Sequence, residues 1–167
     1  MGYRFLRIPG NRIIIRRDIK MELNENMKIT GHINLKLYDK YGNLKDERDI
    51  HNTITTVGKA YLATWLAAAS QAGKFMAYLA VGEGSPSGTA LGSEIGTRVS
   101  GTLSTPGSTN IWQNSGTFAA ANGTGAITEV GLFSASTSGT MFASQTFDVI
   151  NKGASDSLTL TWQITLS

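Results

Sequence analysis

Apolar and polar residues alternate along several short stretches of this chain, which is the pattern of a β-strand with one buried face. The clearest stretch is Leu158 to Leu166, where Leu, Leu, Trp, Ile and Leu occupy every second position. Residues 29–37 alternate in the same way, the turn-forming sequence Asp39-Lys40-Tyr41-Gly42-Asn43 follows, and residues 44–50 return. These residues predict a β-hairpin.

Further strands are predicted where apolar or alternating runs are bounded by glycine and other turn residues. Their expected ranges are Phe75 to Val81, Thr97 to Leu103, Ile111 to Ala121, Ala126 to Phe133 and Thr140 to Ile150. One segment has helical spacing instead: Thr55 or Thr56 should cap a helix that Gly73 ends. The pattern therefore predicts an all-β, single-domain antiparallel β-sandwich, jelly-roll-like, with one short helix.

The composition agrees with this fold. The chain has 167 residues, within the range of one domain, and it contains 19 glycines while only 16% of its residues are charged. It has no cysteine, which excludes disulfides, a thiolate nucleophile and cysteine metal ligands. No run approaches the roughly 20 apolar residues of a membrane-spanning helix, so no membrane partner is expected.

One carboxylate stands inside a stretch that otherwise predicts a buried strand. Glu129 lies in the sequence GAITEVGLF, residues 125–133. An isolated ionised carboxylate in an apolar layer costs several kcal/mol unless it is paired or hydrogen-bonded, so Glu129 should have a partner from elsewhere in the chain. We expect this partner to be Arg98, which would form a structural clamp with Glu129, and Glu94 is the competing acid for Arg98.

Several short sequences along the chain, the predicted strand with Glu129 among them, form a series whose order is informative. In chain order they are Asn52-Thr53-Ile54-Thr55 with Gly58, Leu79-Ala80-Val81-Gly82-Glu83-Gly84, Leu91, Glu94, Arg98, Thr117-Phe118, Ile127-Thr128-Glu129-Val130-Gly131-Leu132-Phe133, and Asp156 to Trp162. This order resembles that of a group of tailed-bacteriophage virion proteins, small β-sandwich modules of capsids and tails. The resemblance covers about Met27 to Ser167, and the first 26 residues depart from it.

The resemblance implies a non-enzymatic virion structural protein that decorates and stabilises the capsid. Such modules are often trimeric, so a homotrimer on the capsid surface, made in the host cytoplasm, is expected. The expected partner is the major capsid protein or a neighbouring virion protein. A tail-fibre, baseplate or adaptor module is the alternative, with Trp112, Tyr78 or the loop from Gly82 to Gly96 contacting a host glycan or another tail protein.

Positive charge is concentrated at the start of the chain. Residues 1–20 carry a net charge of +5, whereas the remainder carries −2. We therefore divide the chain into a basic, apolar N-terminal arm, residues 1–26, and a β-sandwich domain, residues 27–167. The arm residues expected to bind a partner are Tyr3, Arg4, Phe5, Arg7, Arg12, Ile13, Ile14, Ile15, Arg16 and Arg17.

The arm has three interpretations. Its apolar residues favour docking on a protein, because NRIIIRR can add a strand to the edge of a neighbour's sheet. A locally folded or disordered tail is the second interpretation. Nucleic-acid binding through phosphate neutralisation is the third, and the apolar character of the arm favours it least.

Residues that could carry chemistry are sparse. His32 and His51 lie in neighbouring predicted strands and could meet, but a pair of histidines without a third ligand favours a surface or packing role over a metal site. The acidic run Asp46-Glu47-Arg48-Asp49 lacks the ligand order of a calcium loop. The loop at Gly82 lacks the Gly-Lys-Ser/Thr ending of a phosphate-binding loop, which favours a flexible turn. No nucleophile elbow is present, so the sequence predicts no enzyme, cofactor or metal.

Overall fold

A computed structural model describes residues 6–7, 13–14, 28–66, 76–107 and 110–167 of this chain. These residues are largely β-structure with a single α-helix, and no helix among them is long and apolar enough to cross a membrane. The elements are β1 (Leu6–Arg7), β2 (Ile13–Ile14), β3 (Ile29–Tyr38), β4 (Leu44–Ile54), α1 (Thr56–Leu66), β5 (Tyr78–Gly82), β6 (Glu94–Ser100), β7 (Thr102–Ser104), β8 (Ile111–Phe118), β9 (Gly125–Phe133), β10 (Met141–Lys152) and β11 (Ser157–Leu166).

Nine strands form one antiparallel order, β6-β5-β9-β10-β4-β3-β11-β8-β7, while β1 and β2 pair separately. The nine strands fall into two halves, β6-β5-β9-β10 and β4-β3-β11-β8-β7. The halves are joined by only two residue pairs between β10 and β4, Ala143 with Ile54 and Ser144 with Thr53. At the opposite edge the halves approach again, since Asn114 Nδ2 on β8 donates to Met76 O before β5 at 3.0 Å. The sheet is therefore nearly closed.

Both halves contribute to one hydrophobic core. Leu35 on β3 and Trp162 on β11 come from one half, and Leu79 on β5 and Leu132 on β9 come from the other, all fully buried. Alternate residues of β11 are buried and half-buried from Ser157 to Thr165, as the period-two pattern predicts, whereas Leu166 at the end of the strand is exposed. The all-β fold with one short helix is confirmed.

Local sequence accounts for the turn and for the helix start. Asp39 Oδ1 accepts the N–H groups of Tyr41 and Asn43 at 2.8 and 2.9 Å, and Gly42 takes a φ of +86° that other residues rarely adopt. Thr55 caps α1, because its Oγ1 accepts the Gly58 N–H at 2.9 Å. The predicted helix end at Gly73 lies outside the described residues.

Candidate functional site

The buried carboxylate of Glu129 is the centre of the best-defined polar site in the described residues. Glu129 lies on β9 and has no exposed surface. Its two oxygens accept two successive backbone groups: the Gly92 N–H donates to Oε2 at 3.0 Å, and the Ser93 N–H donates to Oε1 at 2.9 Å. The expectation that this acid needs a partner from elsewhere in the chain is confirmed, and the partner is the backbone of the loop between β5 and β6.

Glycines allow the loop to approach the carboxylate closely. A Cβ atom on Gly82 would lie 2.5 Å from Glu129 Oε1, and one on Gly84 would lie 3.1 Å from the same oxygen. The loop has further attachments, because Glu83 Oε1 accepts the Ala126 N–H at 2.8 Å and Leu91 is buried. These hydrogen bonds attach the loop to β9, while the flexibility predicted for its first part, at Gly82, stays a prediction.

Arg98 on β6 forms a second clamp. Its Nε and Nη2 each donate to one oxygen of Glu94 at 2.9 Å, and Nη1 donates to the carbonyls of Ala135 and Ser138 at 3.0 and 2.6 Å. The guanidinium carbon lies 3.5 Å from the centre of the Phe133 ring, a cation–π contact. Arg98 thus ties β6 to the β9–β10 connection.

The predicted pairing of Arg98 with Glu129 is wrong, and the competing acid Glu94 is the partner. Glu94 lies four residues before Arg98, and 30% of its side-chain surface is exposed, so a carboxylate there loses less hydration than one in the core. Glu129 is satisfied by backbone donors, which every residue except proline carries. The sequence therefore contained no side-chain signal that marked Gly92 and Ser93 as its partners.

A third ionic cluster lies at the start of β11. Lys45 Nζ donates to Asp156 Oδ2 at 2.5 Å, and the Gly153 N–H donates to the same oxygen at 2.9 Å. These bonds, the one from Lys45 first, hold the pKa of Asp156 below its usual value. Lys152 is almost fully buried, donates to Ala119 O at 3.1 Å, and has a pKa lowered by its removal from water.

These pairs accompany an even balance of charge in residues 28–167. Residues 28–167 contain nine lysines and arginines and nine acidic residues, so they are neutral overall. The excess of acid over base in residues 21–167 comes from Glu22 and Glu25. The net charge of +3 therefore resides entirely in residues 1–27.

An apolar cleft lies where the N-terminal segment joins the body. The cleft has a volume of about 230 Å³ and is lined by Ile29, Tyr61, Leu62, Trp65, Met76, Trp112, Phe142, Ile164 and Leu166. The Lys28 N–H donates to Ser167 O at 2.5 Å and the Ser167 N–H donates back to Lys28 O at 2.8 Å, which fixes both ends of the body beside this cleft. Trp112 thus lines an apolar cleft, and Tyr78 packs against Leu91 and Phe133.

Most of the arm lies outside the described residues. This applies to Tyr3, Arg4, Phe5, Arg12, Ile15, Arg16 and Arg17. For Arg7, Ile13 and Ile14 the backbone is described, and Arg7 pairs with Ile13 while Leu6 pairs with Ile14 in an antiparallel ladder.

The described residues contain no group of three or more His, Cys, Asp or Glu side chains that could hold a metal ion. His32 and His51 do meet, as direct cross-strand neighbours. Comparisons with protein-family models, curated protein sequences and solved structures find no match to this chain.

Proposed function

We propose that this chain is a non-enzymatic structural protein of a tailed-bacteriophage virion, a decoration protein whose N-terminal arm binds the capsid shell. The observation that carries the proposal is the separation of charge: a neutral body with internally paired ions is joined to a basic, apolar arm. A neutral body has no net long-range attraction of its own for an oppositely charged partner. Attachment is therefore assigned to the arm.

The clamps of the body fit a structural role. Glu129 accepts hydrogen bonds from the loop between β5 and β6, and Arg98 donates hydrogen bonds to the connection between β9 and β10. Both side chains therefore hold loops of the protein itself in place. A protein that adds contacts across a shell stabilises that shell, and does so more as its free concentration exceeds the dissociation constant, because it binds the assembled state. A rigid body with a separate attachment segment serves this purpose.

The direct test compares the full chain with a variant that lacks residues 1–20. Each is mixed with purified capsids that lack the protein, and bound protein is measured by co-sedimentation. We expect the full chain to bind in many copies per particle and the truncated variant to stay in the supernatant, while both give the same circular dichroism spectrum and melting temperature. Undiminished binding of a folded truncated variant would refute attachment through the arm.

Two arm variants separate the contributions to binding. Ile13, Ile14 and Ile15 changed to serine should abolish binding at every salt concentration, because they remove the strand-forming apolar surface. Arg12, Arg16 and Arg17 changed to glutamine should weaken binding mainly at low salt. The opposite pattern, together with salt-dependent binding of the full chain to duplex DNA, would favour the nucleic-acid interpretation.

Copy number distinguishes the decoration protein from a tail module. A decoration protein should be present in the virion at a number comparable to that of the major capsid protein, whereas a fibre, baseplate or adaptor protein is present in few copies. Quantitative mass spectrometry of purified virions gives this ratio. A low ratio would refute the decoration role and favour the tail module.

A further inference from the structure

His32 and His51 stand side by side on the outer face of the β3–β4 hairpin. They are directly opposite each other in the antiparallel register. The side chain of His32 is 37% exposed, and His51 is exposed as well. Both imidazoles are therefore accessible to an ion from solvent.

The separation of the rings matches two ligands of one metal ion. With a Zn–N bond of about 2.0–2.1 Å, zinc lies roughly 3.2 Å from the centroid of an imidazole, so two rings on one ion have centroids about 5.2 Å apart at a tetrahedral angle and at most about 6.4 Å apart. The centroids of His32 and His51 are 5.7 Å apart, and the ring planes are inclined at 74°. The observed separation lies within this range.

Asp49 contributes in the way that carboxylates often do beside metal-binding histidines. His32 Nε2 donates to Asp49 Oδ1, which leaves Nδ1 of His32 as the nitrogen with a free lone pair. A carboxylate in this position fixes the tautomer and the orientation of the imidazole ring. Asp49 lies two residues before His51 on β4, and Lys28 and Lys36 each lie four residues from His32 along the chain.

We propose that His32 and His51 form an exposed two-histidine site for a divalent transition-metal ion such as Zn²⁺, with Asp49 as a positioning residue. Imidazole suits zinc, copper and nickel ions, whereas magnesium and calcium prefer oxygen ligands. Water completes the coordination in the isolated chain, in keeping with the lack of any three-ligand group among the described residues. This proposal does not depend on the virion role.

The composition of the chain limits the number of competing zinc ligands in the test. The chain has two histidines and no cysteine, so no other imidazole or thiolate competes for the ion. In the full-length protein, Zn²⁺ is titrated while the imidazole proton signals are followed by NMR and the affinity is measured by calorimetry. We expect both histidine signals to change together and to saturate at one equivalent of Zn²⁺, and Mg²⁺ to leave them unchanged.

Variants assign the roles. His32→Ala and His51→Ala should each weaken Zn²⁺ binding by more than about tenfold, and Asp49→Asn should weaken it by roughly tenfold because the orienting carboxylate is lost. Gln113→Ala, on the same face of the sheet but on β8, is the matched control and should bind like the wild type. Zn²⁺ binding that persists in His51→Ala, signals that change independently, or an equal response to Mg²⁺ would overturn the two-histidine site. Unchanged affinity in Asp49→Asn would overturn the role of Asp49.

Discussion

Replacing Glu129 with glutamine tests whether one buried carboxylate holds the loop between β5 and β6. Glutamine has nearly the same shape, but it offers one acceptor oxygen and one NH₂ group where the carboxylate offers two acceptors. The Gly92 and Ser93 N–H groups, now bound at 3.0 and 2.9 Å, cannot both be satisfied by the amide. One of them would face the NH₂ group of a fully buried side chain, although Gly92 and Ser93 themselves lie in an exposed part of the loop.

The size of the effect follows from these two bonds. A hydrogen bond to a charged group contributes about 1.5–3 kcal/mol, whereas one between neutral groups contributes about 0.5–1.5 kcal/mol. Glu129→Gln weakens one bond and removes the other, so we expect a loss of about 2–4 kcal/mol in the free energy of unfolding. That is a large part of the roughly 5–15 kcal/mol by which a typical domain is stable.

Urea denaturation followed by tryptophan fluorescence measures this loss. With an m-value of about 2 kcal/mol/M, the midpoint should fall by roughly 1–2 M at an unchanged slope. The amides of Gly92 and Ser93 should also exchange faster with deuterium, because they lose protection through local opening of the loop.

Glu83→Gln is the matched control on the same loop. Glu83 accepts a single backbone group, the Ala126 N–H at 2.8 Å, and its side chain is exposed. The remaining amide oxygen can keep that bond, so we expect a loss below about 1 kcal/mol. If Glu129→Gln were within about 0.5 kcal/mol of the wild type, or if the exchange of both amides were unchanged, the carboxylate would not be what holds the loop.

Three further changes test the other clamps. Arg98→Lys keeps the charge but loses the two-point bond to Glu94 and the stacking on Phe133, and should lower the free energy of unfolding by about 2 kcal/mol in urea denaturation; wild-type stability would contradict the clamp. The pKa of Asp156 is lowered in the folded protein, so its ionised carboxylate adds stability at pH values above the unfolded pKa of 3.8, and this stability is lost as the pH falls. Asp156→Asn should therefore destabilise the protein most near neutral pH. A difference in melting temperature that is the same at all pH values would contradict this. The pKa of Lys152 is lowered in the folded protein, so as the pH rises toward 10.5 the unfolded state keeps a proton on Lys152 that the folded state has lost. The wild type should therefore gain stability with rising pH relative to Lys152→Met. Parallel plots of stability against pH for the two proteins would refute a lowered pKa.

The sequence by itself determined the all-β fold class and most of the strands, but the single strand predicted at Thr97 to Leu103 is wrong: the structure divides it at Gly101 into β6 and β7, which lie at opposite edges of the strand order. The alternation in residues 158–166 predicted β11, which the structure places at Ser157–Leu166. The turn at residues 39–43 and the cap at Thr55 followed from side chains that bond to their own neighbouring backbone. These features are local, so their physical causes lie within a few residues of each other.

The tertiary structure alone decided which distant groups meet. The sequence required a partner for Glu129 but could not name Gly92 and Ser93, because backbone N–H groups are the same in nearly every residue and leave no mark in the pattern of side chains. The glycines at positions 82 and 84 were the one available hint, since they permit the loop to come close to the carboxylate. Periodicity reports which face of a strand is buried, whereas the order of the strands, and with it the approach of the loop backbone at residues 92–93 to Glu129 on β9, depends on how the whole sheet folds around its core.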